Sequence, residues 1–456
     1  MNAVQVALGY HQRTKHHYHR YARALGYLDW ATQPDPFRRF AGAPAVLLPF
    51  SDPEDSPSYA DLYVPGRVRA KPLGLASVAE LFEYALGISA WKQYKEARWS
   101  LRINPSSGNL HPTEGYLVAP PLAESGAAAS AAVWHYAPME HALERRAAVP
   151  PEVWAKLTEA FPEGTFFVGL SSIHWREAWK YGERAYRYCN HDTGHAIACV
   201  ALAASLIGRR ALRLDGLGDR EVARLLGLNR RKDFEGAEAE HPDCVLAVVP
   251  AEAAGPIPMG LPEIPLAHLA GGAWTGRANA LSSDHVDWEV IPVVAEAATK
   301  PHAELPPRRF AGPAAPSSSL GEGVAAKQIL RQRRSAVDMD GRTSISREAF
   351  YAMLARTMPR AGAIPWEAIP LPARVHLGLF VHRVDGIPPG LYALPRSEEG
   401  GELLRKAMKA SFLWDSPPEC PKDLPLFLLD RCDCRAVAAS VSCQQAIAGD
   451  GAFSLG

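Results

Sequence analysis

Several features that would assign a function directly are missing from this chain of 456 residues. Its 49 basic and 49 acidic residues balance, so the net charge gives no indication that the protein binds nucleic acid or an anionic membrane. No apolar run of about 18 residues predicts a transmembrane helix, and the N-terminus lacks the apolar stretch of a signal peptide. Seven cysteines in so long a chain do not make a disulfide framework. We therefore expect a reducing, cytoplasmic location.

Common cofactor and metal motifs are missing as well. The sequence has no P-loop, no Gly-x-Gly-x-x-Gly fingerprint and no serine-hydrolase elbow. The histidine cluster near the N-terminus has no cysteine or carboxylate at a zinc spacing; it comprises His11, His16, His17 and His19. The cysteines near the C-terminus, Cys420, Cys432, Cys434 and Cys443, do not form a CxxC array. We expect no metal site.

The length of the chain favours two domains over one core. Residues 1–50 read as an N-terminal arm with a polar helix over about 10–25, and residues 51–295 as a first domain. Residues 296–325 are rich in proline, alanine, serine and glycine, which is typical of a linker. Residues 326–456 then form a second domain.

The two domains share a pattern of segments. "VWHYAPMEHALE" in the first parallels "GLYALPRSEEGGELL" in the second, and the strand "TFFVGLS" parallels "PLFLLD", each followed by a long helix. The pattern predicts two degenerate tandem copies of one α+β unit. Because the chain stops within the predicted helix over 434–456, we expect the second copy to be incomplete at its C-terminus.

One turn in the first domain is unusually crowded with small polar residues. Residues 105–109 read Pro-Ser-Ser-Gly-Asn and stand between two apolar segments. The turn combines small side chains with backbone N–H groups and one amide, so a flat ligand could approach its backbone closely. The alternative is an ordinary Asx or Ser/Thr turn without a ligand.

A second motif occurs only in the second domain. Arg333, Arg334 and Ser335 supply two guanidinium groups and a hydroxyl, which suit a phosphate or the polar edge of a heteroaromatic ring. Taken alone, the pair of arginines is equally typical of a solvated basic turn.

Together these motifs resemble the FMN-dependent nitroreductase family. The segments that carry the resemblance are "PSSGNLHPTEGYLV" and "RQRRSAVDM"; "YHQRTKH" and "WKYGERAYRYCNHDTGH" look like its SagB/ThcOx branch, which includes azoline oxidases of peptide tailoring. The resemblance implies FMN and an α+β fold with a nitroreductase-like sheet flanked by helices. It also implies a site in which an Arg-x-Ser motif of one subunit meets a Pro-Ser-Ser-x-Asn turn of the other.

In this sequence each half retains the motif that the other lacks. The first half has only Arg67 and Arg69 where the arginine motif is expected, and "PLPARVHLGLFVHRV" occupies the position of the turn in the second half. We therefore predict an intramolecular pseudo-dimer with one intact flavin site. Pro105, Ser106, Ser107, Gly108 and Asn109 would lie on one side of that flavin, and Arg333, Arg334 and Ser335 on the other.

Further residues of the site follow from the resemblance. Lys180 and Tyr181 are similar to the pair proposed as acid and base in azoline oxidases, although the same segment also fits a helix with an aromatic core face and solvated cations.

Arg102 precedes the turn and would reach a phosphate or form a structural salt bridge. His111 lies beside the turn, where a satisfied buried histidine is the alternative. Gly216, Leu217 and Gly218 resemble the family's loop after the core helix, where backbone approaches the flavin. Glu114 would cap an element or pair in the core.

The resemblance implies an FMN-dependent oxidoreductase that transfers hydride between the flavin and a small or peptide-borne substrate. NAD(P)H would bind transiently as electron donor, or O₂ would accept electrons. The alternatives are an azoline dehydrogenase in peptide tailoring and a non-catalytic flavin-binding or scaffold protein. No nucleic acid or membrane partner is expected.

Overall fold

The computed structural model describes residues 2–17, 20–122, 130–311, 321, 323–369 and 371–456. The described residues fall into two compact units. The first lies within Met1–Pro313, Gly323–Gln332 and Ile364–Ile369, and the second within Ala314–Glu322, Arg333–Ala363 and Pro370–Gly456. Residues 312–320 and 322 of the predicted linker lie outside the described residues.

The first unit contains nine helices and eleven strands among its described residues. The helices are α1 (Ala3–Thr14), α2 (Leu75–Ala85), α3 (Pro151–Thr158), α4 (His174–Tyr181), α5 (Ala185–Leu206), α6 (Asp219–Leu226), α7 (Glu263–Gly271), α8 (Val290–Ala297) and α9 (Ala326–Gln332). The strands are β1 (Phe40–Ala41), β2 (Ala45–Leu47), β3 (Ile88–Tyr94), β4 (Ala97–Arg102), β5 (Thr113–Ala119), β6 (Ala132–Ala137), β7 (Ala142–Ala148), β8 (Phe166–Ser172), β9 (Arg209–Arg213), β10 (His241–Pro250) and β11 (Arg277–Ala278).

A seven-stranded antiparallel sheet in the order β2-β7-β6-β5-β8-β10-β9 forms the centre of this unit. All residues of β5, β6 and β8 are buried, because helices cover both faces of the sheet. Leu117 and Val168 face one core together with residues of α2 and α5. Val118 and Phe167 face the other together with residues of α3, α6 and α7.

The pairing of β5 with β8 determines where the unusual turn lies. Thr113, the first residue of β5, pairs with Ser172, the last residue of β8. The chain enters β5 from the 105–109 turn and leaves β8 into α4. The turn and α4 therefore lie at the same end of these two central strands.

The second unit is also α+β. Its helices are α10 (Arg347–Arg356), α11 (Glu398–Ala407), α12 (Arg435–Val441) and α13 (Ile447–Asp450), and its strands are β12 (Leu377–Val381), β13 (Gly390–Leu394), β14 (Phe427–Arg431) and β15 (Phe453–Leu455). The four strands form an antiparallel sheet in the order β14-β13-β12-β15. The α+β class predicted from the sequence is confirmed in both units.

Three local predictions were wrong. The arm helix spans Ala3–Thr14 because Asn2 and Gln5 form a capping box and Lys15 is extended. The predicted helix over 434–456 is interrupted where Cys443 and Gln444 adopt positive φ, and the chain returns as β15 beside β12. The segments "TFFVGLS" and "PLFLLD" occupy different positions in their sheets. β8 pairs with β5, the strand that precedes "VWHYAP", whereas β14 pairs with β13, the strand "GLYAL" that was matched to "VWHYAP".

Candidate functional site

The backbone of the 105–109 turn is held in an uncommon conformation. Gly108 has φ of 62°, and the non-glycine residues Asn109 and His111 have φ of 61° and 51°. Left-handed backbone costs a residue with a side chain about 1–2 kcal/mol. Two such residues within three positions require strong contacts to hold them, and residues of this kind cluster at functional sites.

The turn is held by a buried carboxylate on α5. Asp192 accepts hydrogen bonds from the Ser107 backbone N–H at 3.0 Å and from the Ser107 hydroxyl at 3.1 Å. Burial raises the pKa of Asp192 above its usual range, while hydrogen bonds from Ser106 and Ser107 oppose that shift. The sequence analysis did not single out Asp192. The available signal was an aspartate in the middle of a long, largely apolar helical segment.

Hydrogen bonds within the turn complete its support. The His111 N–H donates to the Ser106 hydroxyl at 2.8 Å, and the Asn109 amide donates to the Ser100 carbonyl oxygen at 2.9 Å. Nε2 of His111 lies 3.0 Å from the Asn109 side-chain oxygen. Burial lowers the pKa of His111 well below its usual value, so the ring is neutral at pH 7. His111 is buried, its Nδ1 has no hydrogen-bond partner among the described residues, and its role toward a flavin stays a prediction.

The Lys180–Tyr181 pair lies directly against Gly108. A Cβ atom placed on Gly108 would be 2.6 Å from the Tyr181 hydroxyl oxygen and 3.1 Å from Lys180 Nζ. Lys180 Nζ also lies 5.4 Å from the centre of the Tyr181 ring. Gly108 is exposed and the two side chains are partly buried, so the three residues form a polar surface open to solvent. The structure thus brings together the turn and the Lys180–Tyr181 pair, which the sequence analysis selected separately.

Buried polar atoms without a hydrogen-bond partner occur on both sides of the turn in sequence, and others lie elsewhere in the chain. Among the described residues they include both side-chain heteroatoms of Asn104, the hydroxyls of Ser100 and Thr113, and both carboxyl oxygens of Glu177. A buried polar atom left unsatisfied costs about 1–3 kcal/mol. A group of such atoms beside one turn marks a place where a polar ligand or bound water would be stabilised.

A charged network lies beneath the turn. Arg176 donates to the His111 carbonyl oxygen at 2.7 Å and forms an ion pair with Glu114, which is itself 3.0 Å from the His135 ring. His135 also contacts Glu144 at 3.0 Å. Burial alone would lower the pKa of His135, but its two carboxylate partners raise it to about 9. Burial opposes ionisation of Glu114, yet Arg176 and His135 hold its pKa at about 2. Glu114 therefore pairs in the core, one of the two predicted roles.

The structure places Arg102 inside the protein. Its guanidinium group is 3% exposed, donates to the Pro36 carbonyl oxygen and lies 5.8 Å from the Phe37 ring centre. Burial lowers its pKa to about 10, so it stays charged at pH 7. These contacts are structural but include no ion pair, and the predicted role of Arg102 toward a phosphate stays a prediction.

The 216–218 loop contacts other segments of its own unit. A Cβ atom on Gly216 would lie 2.6 Å from the Met259 carbonyl oxygen, and one on Gly218 would lie 2.6 Å from the His302 backbone nitrogen. The Leu217 carbonyl oxygen accepts a hydrogen bond from Lys300 Nζ at 2.6 Å. The close backbone approach predicted for a flavin is made here by the chain itself, because segments around residues 259 and 302 pass over both glycines.

Arg333, Arg334 and Ser335 belong to the second unit. They are exposed in the loop between α9 and α10, where Arg334 Nη1 donates to the Arg333 carbonyl oxygen at 2.6 Å. Their role in a flavin site stays a prediction.

No described group of three or more histidine, cysteine, aspartate or glutamate side chains is arranged to hold a metal ion; His19 lies outside the described residues. No helix in the described ranges has the length and apolar character needed to cross a bilayer.

Neither a family model nor a curated protein matches the sequence. Among solved structures, the chain is similar to a "putative nitroreductase" from Anabaena variabilis ATCC 29413, with a TM-score of 0.62 and 18% identity over 99% of this chain and 84% of that one. This similarity shows a nitroreductase-like fold.

Two other solved structures match at much lower TM-scores. A "putative nitroreductase" from Ralstonia eutropha JMP134 matches with a TM-score of 0.33 and 16% identity over 51% of this chain and 99% of that one. A chain of the E. coli microcin synthetase McbBCD complex with truncated pro-MccB17 bound matches with 0.30 and 21% identity over 45% and 74%. TM-scores this low carry no argument about fold or function.

Proposed function

We propose that this protein is an FMN-dependent oxidoreductase whose substrate reacts at the 105–109 turn. The observation that carries the proposal is the position of Lys180 and Tyr181 beside Gly108. Lys180 Nζ and the Tyr181 hydroxyl oxygen lie within 3.1 Å of the position that a Cβ atom on Gly108 would take. Two groups able to move protons thus lie at a strained, exposed turn whose backbone carries no side chain at its centre. The nitroreductase-like fold supports the same proposal.

The residues around the turn fit the polar edge of a flavin. Ser106, Ser107 and Asn109 are small, and Lys180 and Tyr181 occupy the space beside Gly108, so a flat ring bound at the turn would contact that pair. The unpartnered amide of Asn104, immediately before the turn, supplies a donor and an acceptor for a heteroaromatic edge. When bound, FMN supplies hydride transfer, which no side chain of the protein can perform.

Lys180 and Tyr181 then act on protons of the substrate. Lys180 would take up a proton from a substrate carbon or nitrogen during hydride transfer, and the tyrosine hydroxyl would orient the same group by a hydrogen bond. Asp192 keeps the turn in place through Ser107, so it is a positioning residue. Substitution of Lys180 or Tyr181 should therefore slow turnover and leave FMN binding intact.

The substrate class follows from the same pair. An azoline ring within a peptide carries the acidic C–H and the ring nitrogen that an adjacent amine and phenol would serve, so azoline dehydrogenation is the favoured specific reaction. Reduction of a small molecule at the expense of NAD(P)H is the second candidate. A non-catalytic flavoprotein is the remaining alternative.

The test begins with the full chain reconstituted with FMN. The protein should show an oxidised-flavin spectrum, and NAD(P)H or an azoline-containing peptide should bleach it without oxygen. Lys180→Met and Tyr181→Phe should each retain the spectrum and slow bleaching at least about tenfold. A chain that binds no FMN would refute the proposal. A chain that binds FMN but is bleached by neither donor, while dithionite reduces it, would favour the non-catalytic alternative.

A further inference from the structure

The segment just before the turn is a hairpin that pairs with no other strand in the described part of the chain. β3 and β4 form a two-stranded sheet of their own, joined through Lys95, which has φ of 51°. Each strand therefore has one outer edge without a strand beside it. A two-stranded hairpin is marginally stable alone, and an exposed edge favours pairing with another chain.

Aromatic side chains on the hairpin are exposed. Trp91 and Trp99 are 37% and 38% exposed, and Tyr94 is 66% exposed. Tryptophan and tyrosine at the surface are typical of binding interfaces, where they supply a large contact area for little loss of side-chain entropy. Since alternate residues of a strand point to opposite faces, Trp91 lies on one face of the hairpin and Tyr94 and Trp99 lie on the other, so a peptide strand paired with an open edge can contact rings on both faces.

Both faces of the hairpin also carry cations. Lys92, Lys95 and Arg98 oppose a single carboxylate, Glu96, over the exposed positions 91–99. The Arg98 guanidinium lies 4.4 Å from the centre of the Trp91 ring, and Lys92 pairs across the hairpin with Trp99. Cations interleaved with aromatic rings favour a partner that carries carboxylates.

The hairpin leads directly to the candidate site. β4 ends at Arg102, and the turn begins three residues later at Pro105. The Asn109 amide also binds the Ser100 carbonyl oxygen, which ties the end of β4 to the turn. The end of β4 is thus joined to the turn that contains Gly108.

We propose that the β3–β4 hairpin is a docking strand for an acidic peptide segment in an extended conformation. The peptide pairs with an open edge of the hairpin through its backbone and contacts the exposed aromatic rings with its side chains. Its carboxylates face Lys92, Lys95 and Arg98. The docking itself stands on the hairpin alone; only the further statement that the docked peptide carries the substrate rests on the proposed function.

A simpler explanation accounts for part of this surface. Lysines on an edge strand oppose aggregation, and Lys92 and Lys95 suit that role. That explanation does not account for exposed Trp91 and Trp99, because large apolar rings on an edge promote the association that the lysines would prevent. Binding measurements separate the two explanations.

Fluorescence anisotropy with labelled synthetic peptides tests the proposal on the full chain. The probes are peptides of about twelve residues, twice a usual strand length, with glutamate or lysine alternating with valine. The acidic peptide should bind and the basic one should not. N-methylation of alternate amides, which blocks strand pairing, should abolish binding of the acidic peptide. Equal binding of both peptides, or none of the acidic one, would overturn the proposal.

Variants locate the binding surface. Lys92→Glu with Arg98→Glu should weaken binding of the acidic peptide at least about tenfold, and Trp99→Ala should weaken it by a similar factor. Arg231→Glu with Lys232→Glu, a matched charge reversal at exposed positions elsewhere in the unit, should leave binding within about twofold of the parent chain. A hairpin variant that binds the acidic peptide as the parent does would contradict the proposal.

Two further measurements keep the outcomes distinct. FMN titration of the hairpin variants should match the parent, so peptide binding without FMN binding would refute the proposed function and leave the docking intact. Sedimentation reports self-association. If the parent chain dimerises, the hairpin variants do not, and no acidic peptide binds, the hairpin is an interface between two copies and the docking proposal fails.

Discussion

Gly108→Ala is the substitution that probes the candidate site most sharply. Gly108 has φ of 62°, and a Cβ atom there would lie 2.6 Å from the Tyr181 hydroxyl oxygen and 3.1 Å from Lys180 Nζ. The left-handed backbone costs alanine about 1–2 kcal/mol, and the loss of unfolded-state freedom returns about 0.4–1 kcal/mol. The net cost in stability is therefore about 1 kcal/mol before any contact is counted. The contact then forces Tyr181 and Lys180 away from the turn.

Gly66→Ala is the matched control. Gly66 has φ of 79°, and no atom lies within 4 Å of the position that a Cβ would take there, so this substitution carries the backbone cost without the contact. Urea unfolding should give Gly66→Ala a loss of about 1 kcal/mol with unchanged FMN binding.

FMN titration by quenching of flavin fluorescence completes the assay. Gly108→Ala should weaken FMN binding at least about tenfold, because the methyl group and the displaced tyrosine fill the space beside the turn. If Gly108→Ala binds FMN as the parent chain does, the turn is not part of a flavin site and the reasoning fails.

Three further predictions concern charges around the site. Asp192→Ala should cost about 1–3 kcal/mol of unfolding free energy and weaken FMN binding, since it leaves the partly buried Ser107 N–H without its acceptor; urea unfolding and FMN titration check both. His135 has a folded pKa of about 9 against an ordinary 6.5, so its stabilisation is complete below pH 6.5 and is lost as pH rises toward 9. Unfolding free energies should fall by up to about 3 kcal/mol across that window, and a flat profile would contradict the buried ion pairs. Burial raises the pKa of Asp243 to about 7, so its ionisation destabilises the fold increasingly as pH rises from about 4 to above 7. Asp243→Asn should therefore be at least as stable as the parent at pH 8 by urea unfolding, and a marked loss there would show that the charged form is favoured.

Local composition was sufficient to predict the turn and the fold class. Pro-Ser-Ser-Gly-Asn allows few conformations other than a tight turn, and short apolar runs such as "GYLVA" and "TFFVGLS" became the buried strands β5 and β8. These features depend on residues close together in sequence.

Features that depend on distant contacts could not be predicted in this way. Asp192 lies 85 positions from Ser107, and nothing local indicates that its carboxylate supports the turn. The glycines at 216 and 218 were predicted to approach a flavin, and that role stays a prediction; the backbone that lies against them in the structure comes from residues 259 and 302. The break after α12 depends on left-handed backbone at Cys443 and Gln444, residue types that rarely adopt it.

The stoichiometry of FMN binding tests the central claim most directly. The account predicts one FMN per full-length chain, bound at the 105–109 turn and weakened at least about tenfold by Gly108→Ala. Equilibrium dialysis of the parent chain against FMN measures the number of sites, and the variant shows whether the turn contributes to binding. Two FMN per chain, or none, would contradict the account.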